Sequence, residues 1–311
     1  MTFNLEKNFI SAVVYTKNDG DNLTIFLKTI AKILSTNFEH YEIIVVNDHS
    51  ADNVSKAIDE FSKKSDTGGS LSVVNMSFSE GVELSMNAGV DFAIGDFIYE
   101  FDSCVIDYPK SIIMDLYHKA LEDNDIVVAS PNAPIRISSK LFYYLFNKNS
   151  LLPQKLTTES IMLLSRRAIN RINNQSVTIP YRKAIYARSG LNKATLSFTP
   201  IQPSSKSQSY KYRQGIAIDT LILFTNIAYK VAISMSALMM AILLVSAIYA
   251  IATFISGQAV AGWTTTILLI SFAFFGIFAV LTIVIKYLSL ITNLIFRKQT
   301  YTIRSTEKFN I

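Results

Sequence analysis

EGVELSMNAGVDFAIGDFIYEFDSCVIDYP, residues 80–109, contains a helix that hands over to a strand. Val82, Met86, Gly89, Val90 and Ala93 recur at three-to-four spacing, the stripe of a helix that buries one side. Gly95 and Asp96 form the turn, and Phe97–Phe101 is short, mostly apolar and strand-like. Asp102 falls at its carboxyl end, with Asp107 and Pro109 in the loop beyond. In open α/β sheets ligands bind outside the carboxyl ends of the strands. An acid there suits a metal or a phosphate-bound sugar; it also suits a plain acidic turn.

The same alternation extends in both directions. Ile10–Tyr15 is a β-branched strand, followed by the polar Asn18-Asp19-Gly20-Asp21-Asn22 and a helix whose apolar face is Leu23, Phe26, Leu27, Ile30, Ile33 and Leu34. Tyr41–Val46 is a near-continuous apolar run of the kind buried on both faces of a parallel sheet. It ends in Asn47-Asp48-His49-Ser50-Ala51-Asp52, and a helix follows to about Lys64. Leu71–Met76 is a third strand, Lys110–Leu121 a helix and Ile126–Ala129 another strand. Strands and helices alternating at this spacing predict a doubly wound, mostly parallel α/β sheet with helices on both faces. Asn18/Asp19, Asn47/Asp48/Asp52 and Asp102/Asp107 then share one edge. Neither GxGxxG nor GxxxxGK[ST] occurs, which argues against a dinucleotide oxidoreductase and a P-loop NTPase.

Composition frames the rest. Of 311 residues half are hydrophobic, and Val231–Ile285 contains no charged residue. About 20 apolar residues cross a bilayer, so this run accommodates two passes. The first span is expected over Val231–Phe254, the turn over Ser256–Gly262, and the second from Trp263 to Ile285, bracketed by Lys230 and Lys286. Gly215–Tyr229 reads as an amphipathic helix along the interface. The N-terminus shows no signal-peptide pattern. The single cysteine, Cys104, fits a reducing compartment. The net charge is +5, and basic residues gather between Arg182 and Lys230 and after Lys286. That distribution suits a membrane surface rather than nucleic acid. The aromatic Leu141–Phe146 stretch is either a buried helix or one resting on a membrane or lining an acceptor groove.

On these residues the chain resembles the family 2 glycosyltransferases of GT-A fold. Within them it is similar to the membrane-anchored polyprenyl-phosphate enzymes, such as bactoprenol glucosyltransferase and dolichol-phosphate mannose synthase. That family opens with a strand ending Asn-Glu and a following Asn-Leu, matched here by Asn18-Asp19 and Asn22-Leu23. Its second strand ends Val-Asp-Asp-Gly-Ser-x-Asp, against Val46-Asn47-Asp48-His49-Ser50-Ala51-Asp52, with His49 in place of a turn glycine. Gly81, Gly89, Ala93, Gly95 and Asp96 hold the family's next positions. The resemblance implies nucleotide contacts from Asn18, Asp19, Asp48, Asp52 and Gly81, and a Mg²⁺ or Mn²⁺ ion at Asp102. The family's metal strand ends Asp-Ala-Asp-Leu-Gln-Asp-Pro-Pro; Asp102 and Asp107 are kept, whereas Cys104 stands at the central acid. A thiol is a soft ligand poorly matched to either ion.

Thr158–Arg167 is similar to the segment Asp-Phe-Arg-Leu-Met-Ser-Arg that carries the family's base, with Ser160 at that Asp, Met162 at that Arg and Glu159 alongside. On its residues alone it reads as the start of a surface helix with Glu159 in its first turn. Lys206, Lys211 and Arg213 lie where the family has a Gly-x-Ser-Lys-Tyr loop, implying contact with the diphosphate or the lipid phosphate; they also read as a juxtamembrane basic segment.

The expectation is therefore a cytoplasmic GT-A domain over residues 1–200, a basic linker and interfacial helix over 201–230, two transmembrane helices over 231–286 and a cytoplasmic tail over 287–311. The implied activity is inverting hexose transfer, glucose from a UDP-sugar in the first instance, to undecaprenyl phosphate. It would serve cell-surface polysaccharide such as O-antigen at a bacterial inner membrane. The expected partners are a nucleotide sugar, the lipid and the membrane, with a homo-oligomer compatible and nucleic acid excluded. The alternatives are a catalytically degenerate relative acting as a membrane scaffold or subunit, and a transferase acting on a lipid-linked sugar.

Overall fold

The computed structural model describes residues 5–51, 54–65, 67–133, 137–150, 152–174, 181–201, 210–225, scattered positions between 227 and 248, 263–296 and 301–311. The chain divides into two units, one of Met1–Tyr144, Leu152–Ile216 and Lys298–Ile311, the other of Leu145–Leu151 and Ala217–Arg297.

The first unit is built on an eight-stranded sheet. In chain order its elements are β1 (Ile10–Thr16), α1 (Gly20–Asn37), β2 (Tyr41–Asn47), α2 (Val54–Lys64), β3 (Ser70–Met76), α3 (Val82–Phe92), β4 (Phe97–Phe101), α4 (Ile112–Leu121) and β5 (Ile126–Pro131). Then come α5 (Ile137–Asn149), which runs into the second unit, β6 (Ile161–Ser165), α6 (Arg166–Asn173), α7 (Arg182–Arg188), β7 (Lys193–Phe198) and, at the end of the chain, β8 (Ile303–Asn310). The order across the sheet is β7-β5-β6-β4-β1-β2-β3-β8. β1 pairs in parallel with β2 and β4, β2 with β3, and β5 with β7; β6 and β8 run antiparallel to their neighbours. The mostly parallel, mixed sheet matches the expectation from sequence, and β6, β7 and β8 extend it.

Side-chain alternation sorts the two faces. Ile10, Ala12, Val14, Ile43, Val45, Tyr99 and Phe101 point into one core with Leu23, Phe26, Leu27 and Ile30 of α1 and Ile113 and Leu116 of α4. The opposite face takes α3. There Gly89 allows close approach, since a Cβ at that position would lie 2.4 Å from Val13 Cγ1 and 2.5 Å from Val46 Cγ2. Burial of such branched side chains is worth about 1.5–3 kcal/mol each and dominates the fold's stability.

The topology locates the site. β1 leads to α1 toward one side and its other neighbour is β4, so the strand order reverses between them, and ligands bind at such switch points. Thr16 is in register with Asn47 and Val14 with Phe101, so the residues after β1, β2 and β4 emerge at one edge. β6 is antiparallel, and Ile161 pairs with Phe101. Its start, with Glu159 and Ser160, therefore arrives at the same edge. This corrects the reading of Thr158–Arg167 as a surface helix: Glu159 is buried and a strand follows it.

The aromatic stretch lies on α5, where Phe146 is buried while Leu141 and Tyr144 are exposed. In the second unit a helix spans Trp263–Phe296, 34 residues, and several of its side chains fall outside the described set. Among the described residues no helix is long and apolar enough to cross a membrane. The expected turn at Ser256–Gly262 and most of the first expected span lie outside the described residues.

Candidate active site

Two loops at the switch point are stitched together. The amide of Asn18 donates to Ser50 Oγ at 3.0 Å, Asn18 Oδ1 accepts from the amide of Ala51 at 2.8 Å, and the Asp48 amide donates to the Thr16 carbonyl at 3.0 Å. Asn18 and His49 adopt φ of +51° and +54°. Non-glycine residues seldom enter this left-handed region, and asparagine is among those that do so most readily. At His49 the backbone retains the conformation that a turn glycine would supply. Asp19 occupies the N-cap position of α1, and its carboxylate accepts from the Asn22 side chain (Nδ2) at 2.7 Å rather than from a helix amide.

Asp48 lies beneath these loops and is fully buried. Its carboxylate accepts from Tyr15 Oη (2.9 Å), Ser79 Oγ (3.0 Å), Ser85 Oγ (3.1 Å) and the amides of Glu80 (2.8 Å) and Gly81 (3.2 Å). Gly81, at φ +84°, begins α3. Asp48 thus fastens the turn before α3 to the end of β2.

A second cluster surrounds the end of β4. Glu100 and Asp102 are two residues apart and leave the strand on the face opposite Tyr99 and Phe101. Arg182, wholly inaccessible to solvent, lies between three carboxylates. Its Nη2 donates to Asp102 Oδ1 at 2.6 Å, its Nη1 to Glu100, and its Nε to Glu83 Oε2 at 3.2 Å. Tyr186 Oη donates to the other oxygen of Glu100 at 2.5 Å. Lys183 Nζ reaches Asp102 Oδ2 at 3.2 Å and donates to the Glu159 carbonyl at 2.9 Å. Lys193 Nζ donates to Glu159 Oε1 at 2.5 Å, an oxygen that also accepts from Thr157 Oγ1 at 3.2 Å.

Such a cluster persists only because each buried charge meets an opposite one. Burial raises Glu100 above the ordinary carboxylate range, against the pull of Arg182 and the Tyr186 hydroxyl. At Asp102 burial also pushes upward, but Lys183 and Arg182 outweigh it and hold the carboxyl low. Lys183 is held high by Asp102 and Glu159, although burial works against its charge. Asp102 and Lys183 therefore remain an ion pair through the neutral range.

This arrangement is a poor fit for the divalent cation that the sequence resemblance implies at Asp102. Mg²⁺ and Mn²⁺ take oxygen ligands. Both oxygens of Asp102 are already engaged by cations, and a divalent ion there would meet Lys183 and Arg182. Cys104 is 2% exposed, and its thiol donates to the Tyr15 carbonyl at 3.3 Å. Burial pushes that thiol up to about 12, so it stays protonated and is no ligand at neutral pH. Among the described residues no group of three or more His, Cys, Asp or Glu side chains is placed to hold a metal. The state of Cys104 has a simple consequence. Iodoacetamide at about pH 8 should leave the native chain unmodified and alkylate its one cysteine only after denaturation. Intact-mass measurement reads the result, and fast alkylation of the native chain would contradict this placement.

The structure brings Asn18, Asp19, Asp48 and Gly81 into one set of loops, and Asp102 and Glu159 into one cluster joined by Lys183. Ser160 is half-buried and its amide donates to the Ala129 carbonyl at 2.9 Å. Asp52 and Lys206 lie outside the described residues; Lys211 and Arg213 fall on the helix Tyr210–Phe224, with side chains outside the described set. Arg182 and Lys183, grouped from sequence with a membrane-facing basic segment, are instead buried beside Asp102. The clue available in sequence was Glu100 within a buried strand, because a carboxylate there requires a partner.

A mostly parallel sheet with acids and amides gathered at its switch point has the layout of an α/β enzyme whose ligand sits at the strand ends. The glycosyl transferase family 2 pattern matches residues 11–190, and the chain belongs to that family; it is a glycosyltransferase. It is 25% identical over 231 residues to an uncharacterized glycosyltransferase of Synechocystis sp., covering 71% of each protein. It is 29% identical over 171 residues to a prophage bactoprenol glucosyl transferase homolog of Escherichia coli, covering 52% of this chain and 54% of that protein. Among solved structures it is similar, at a TM-score of 0.48 and 13% identity, to a mannosyltransferase of Pyrobaculum calidifontis in complex with GDP-Man and Mn²⁺, covering 89% of this chain and 88% of that one.

Proposed function

We propose that the chain transfers a hexose, with glucose the first candidate, from a nucleoside-diphosphate sugar such as a UDP-sugar to undecaprenyl phosphate. The lipid-linked sugar formed would serve modification of a cell-surface polysaccharide. The observation that carries this reading is the similarity, 28% to 29% identity over 171 residues, to proteins named as bactoprenol glucosyl transferases. Asn18, Asp19 and the loop seated on Asp48 are the nucleotide side of that edge; Asp102, Glu159 and Ser160 are the side where the sugar is exchanged. Lys206, Lys211 and Arg213 precede the apolar run and are assigned to the phosphate of the diphosphate or the lipid.

A polyprenyl phosphate carries its own nucleophilic charge, since the second pKa of a phosphate monoester is about 6. One of its oxygens attacks the anomeric carbon from the face opposite the leaving diphosphate, which inverts that centre. The chemistry therefore asks less of a protein base than transfer to a hydroxyl does. It is compatible with serine at position 160 and with a Glu159 whose Oε1 is taken by Lys193.

The charge-free run supports an anchor of two membrane spans at the inner membrane. The chain leaves the first unit at Ile216 and rejoins it with Lys298–Ile311, whose β8 pairs with β3. Any bilayer crossings in between are then even in number, which puts both ends of the catalytic unit on one side, and the flanking Lys230 and Lys286 favour the cytoplasmic side. A second reading, a degenerate scaffold, draws on Cys104 and on the full engagement of Asp102. Membranes bearing the chain, given labelled nucleotide sugar and undecaprenyl phosphate, separate the two. Label entering the lipid extract supports transfer, and none with any nucleotide sugar supports the scaffold.

A further inference from the structure

We propose that Lys183 does the work of the divalent cation: its ammonium, docked on Asp102 at the switch point, meets the diphosphate of the nucleotide sugar, and transfer proceeds without Mg²⁺ or Mn²⁺. This rests on the nucleotide-sugar reading given above. Asp102, the residue at which the family resemblance puts a metal, has Oδ1 bound by Arg182 and Oδ2 by Lys183. At the position of the family's central acid stands Cys104, whose thiol donates to the Tyr15 carbonyl. The positive charge at this position is supplied by the protein itself.

The two cations differ in what they have left to give. Arg182 is inaccessible to solvent and divided among Glu83, Glu100 and Asp102, so it is a positioning residue that neutralises the acids. Lys183 keeps 10% of its side chain accessible, beside an Asp102 side chain that is 23% accessible. An ammonium has three donors. Among the described residues Lys183 uses one on Asp102 and one on the Glu159 carbonyl, which leaves a third to turn toward a ligand. The groups facing it are Asp102, Glu159, Tyr143 of α5 and Glu83 of α3, with Arg182 next to it in the chain.

The step balances. An oxygen of the lipid phosphate bonds to the anomeric carbon, and the bond from that carbon to the diphosphate oxygen breaks. The electron pair departs on the β-phosphate, which gains one negative charge, and the phosphate monoester becomes a diester of the opposite anomeric configuration. No proton needs to move. Stabilising the charge that develops on the leaving diphosphate is the main demand, and a fixed cation in a partly dry site meets it.

The test uses the full chain purified in detergent, with UDP and GDP as probes of binding by calorimetry, in EDTA and then in excess Mn²⁺. The affinity of the better nucleotide should change by less than about twofold between the two conditions. Lys183→Ala should weaken it by about ten- to a hundredfold in both, with Lys183→Arg recovering part of the loss. Melting curves establish that the variants are folded, and the wild-type metal comparison stands even if Lys183→Ala is not. Binding that appears or rises more than about tenfold only with Mn²⁺ overturns the inference and leaves the glycosyltransferase reading in place. A folded Lys183→Ala that binds like wild type overturns the role of Lys183. No binding of either nucleotide in any condition overturns the nucleotide-sugar reading, and the inference falls with it.

Discussion

Arg182→Met is expected to cost about 3–5 kcal/mol of stability, because removing one member of a buried ionic cluster strands the others. Three carboxylates, from Glu83, Glu100 and Asp102, depend on this guanidinium, and Glu100 is itself wholly buried. In a unit of this size the melting temperature should fall by roughly 10 °C. The companion variant, Arg182→Met with Glu83→Leu and Glu100→Met, should recover part of the loss, since apolar replacement of buried ionic partners together is often neutral and Asp102 keeps Lys183. A thermal melt of both variants reads the effect. An unchanged transition for Arg182→Met would mean that the cluster is open to water. The pH dependence follows from the same cluster. Asp102 is held below its unfolded value, so its share of the stability is present above pH about 4 and is lost as pH falls through the lower folded value.

Asp48→Ala is the second large effect. Five donors would lose their acceptor: the hydroxyls of Tyr15, Ser79 and Ser85 and the amides of Glu80 and Gly81. Hydrogen bonds to a buried charge contribute about 1.5–3 kcal/mol each, and part of the donor set would regain water, so a net loss of about 3 kcal/mol or more is expected. The damage should centre on the turn before α3, with faster hydrogen exchange at Glu80 and Gly81 than in the body of the sheet. Protection at those amides equal to wild type would contradict the view of Asp48 as the post that fastens this turn.

The central strands were legible because their residues satisfy both faces of a parallel sheet. β1 and β2 are β-branched or apolar along almost their whole length, and Asp102 at the end of β4 pointed to the edge where the site lies. β6 was not legible. Thr157-Thr158-Glu159-Ser160 before an apolar run has the composition of a helix start, and only the tertiary pairing of Phe101 with Ile161 makes it a strand. β8 carries an unbroken polar run from Arg304 to Lys308, is largely exposed, and pairs with β3 across more than two hundred residues of chain. No local pattern reports such a partner. Arg182 and Lys183 were hidden for a related reason. Beside other basic residues they look like a surface segment, and their role follows from acids brought to them from α3, β4 and the loop before β6.

The most direct measurement of the proposed activity uses the purified chain with a labelled nucleotide sugar and either undecaprenyl phosphate or a lipid-linked sugar as acceptor. Nucleoside diphosphate released and label entering the organic phase are followed together. The proposal predicts that the two appear in equal amounts with undecaprenyl phosphate alone, and that Asp102→Ala abolishes both. Release without lipid labelling, labelling only of the lipid-linked sugar, or full turnover by Asp102→Ala would each contradict it.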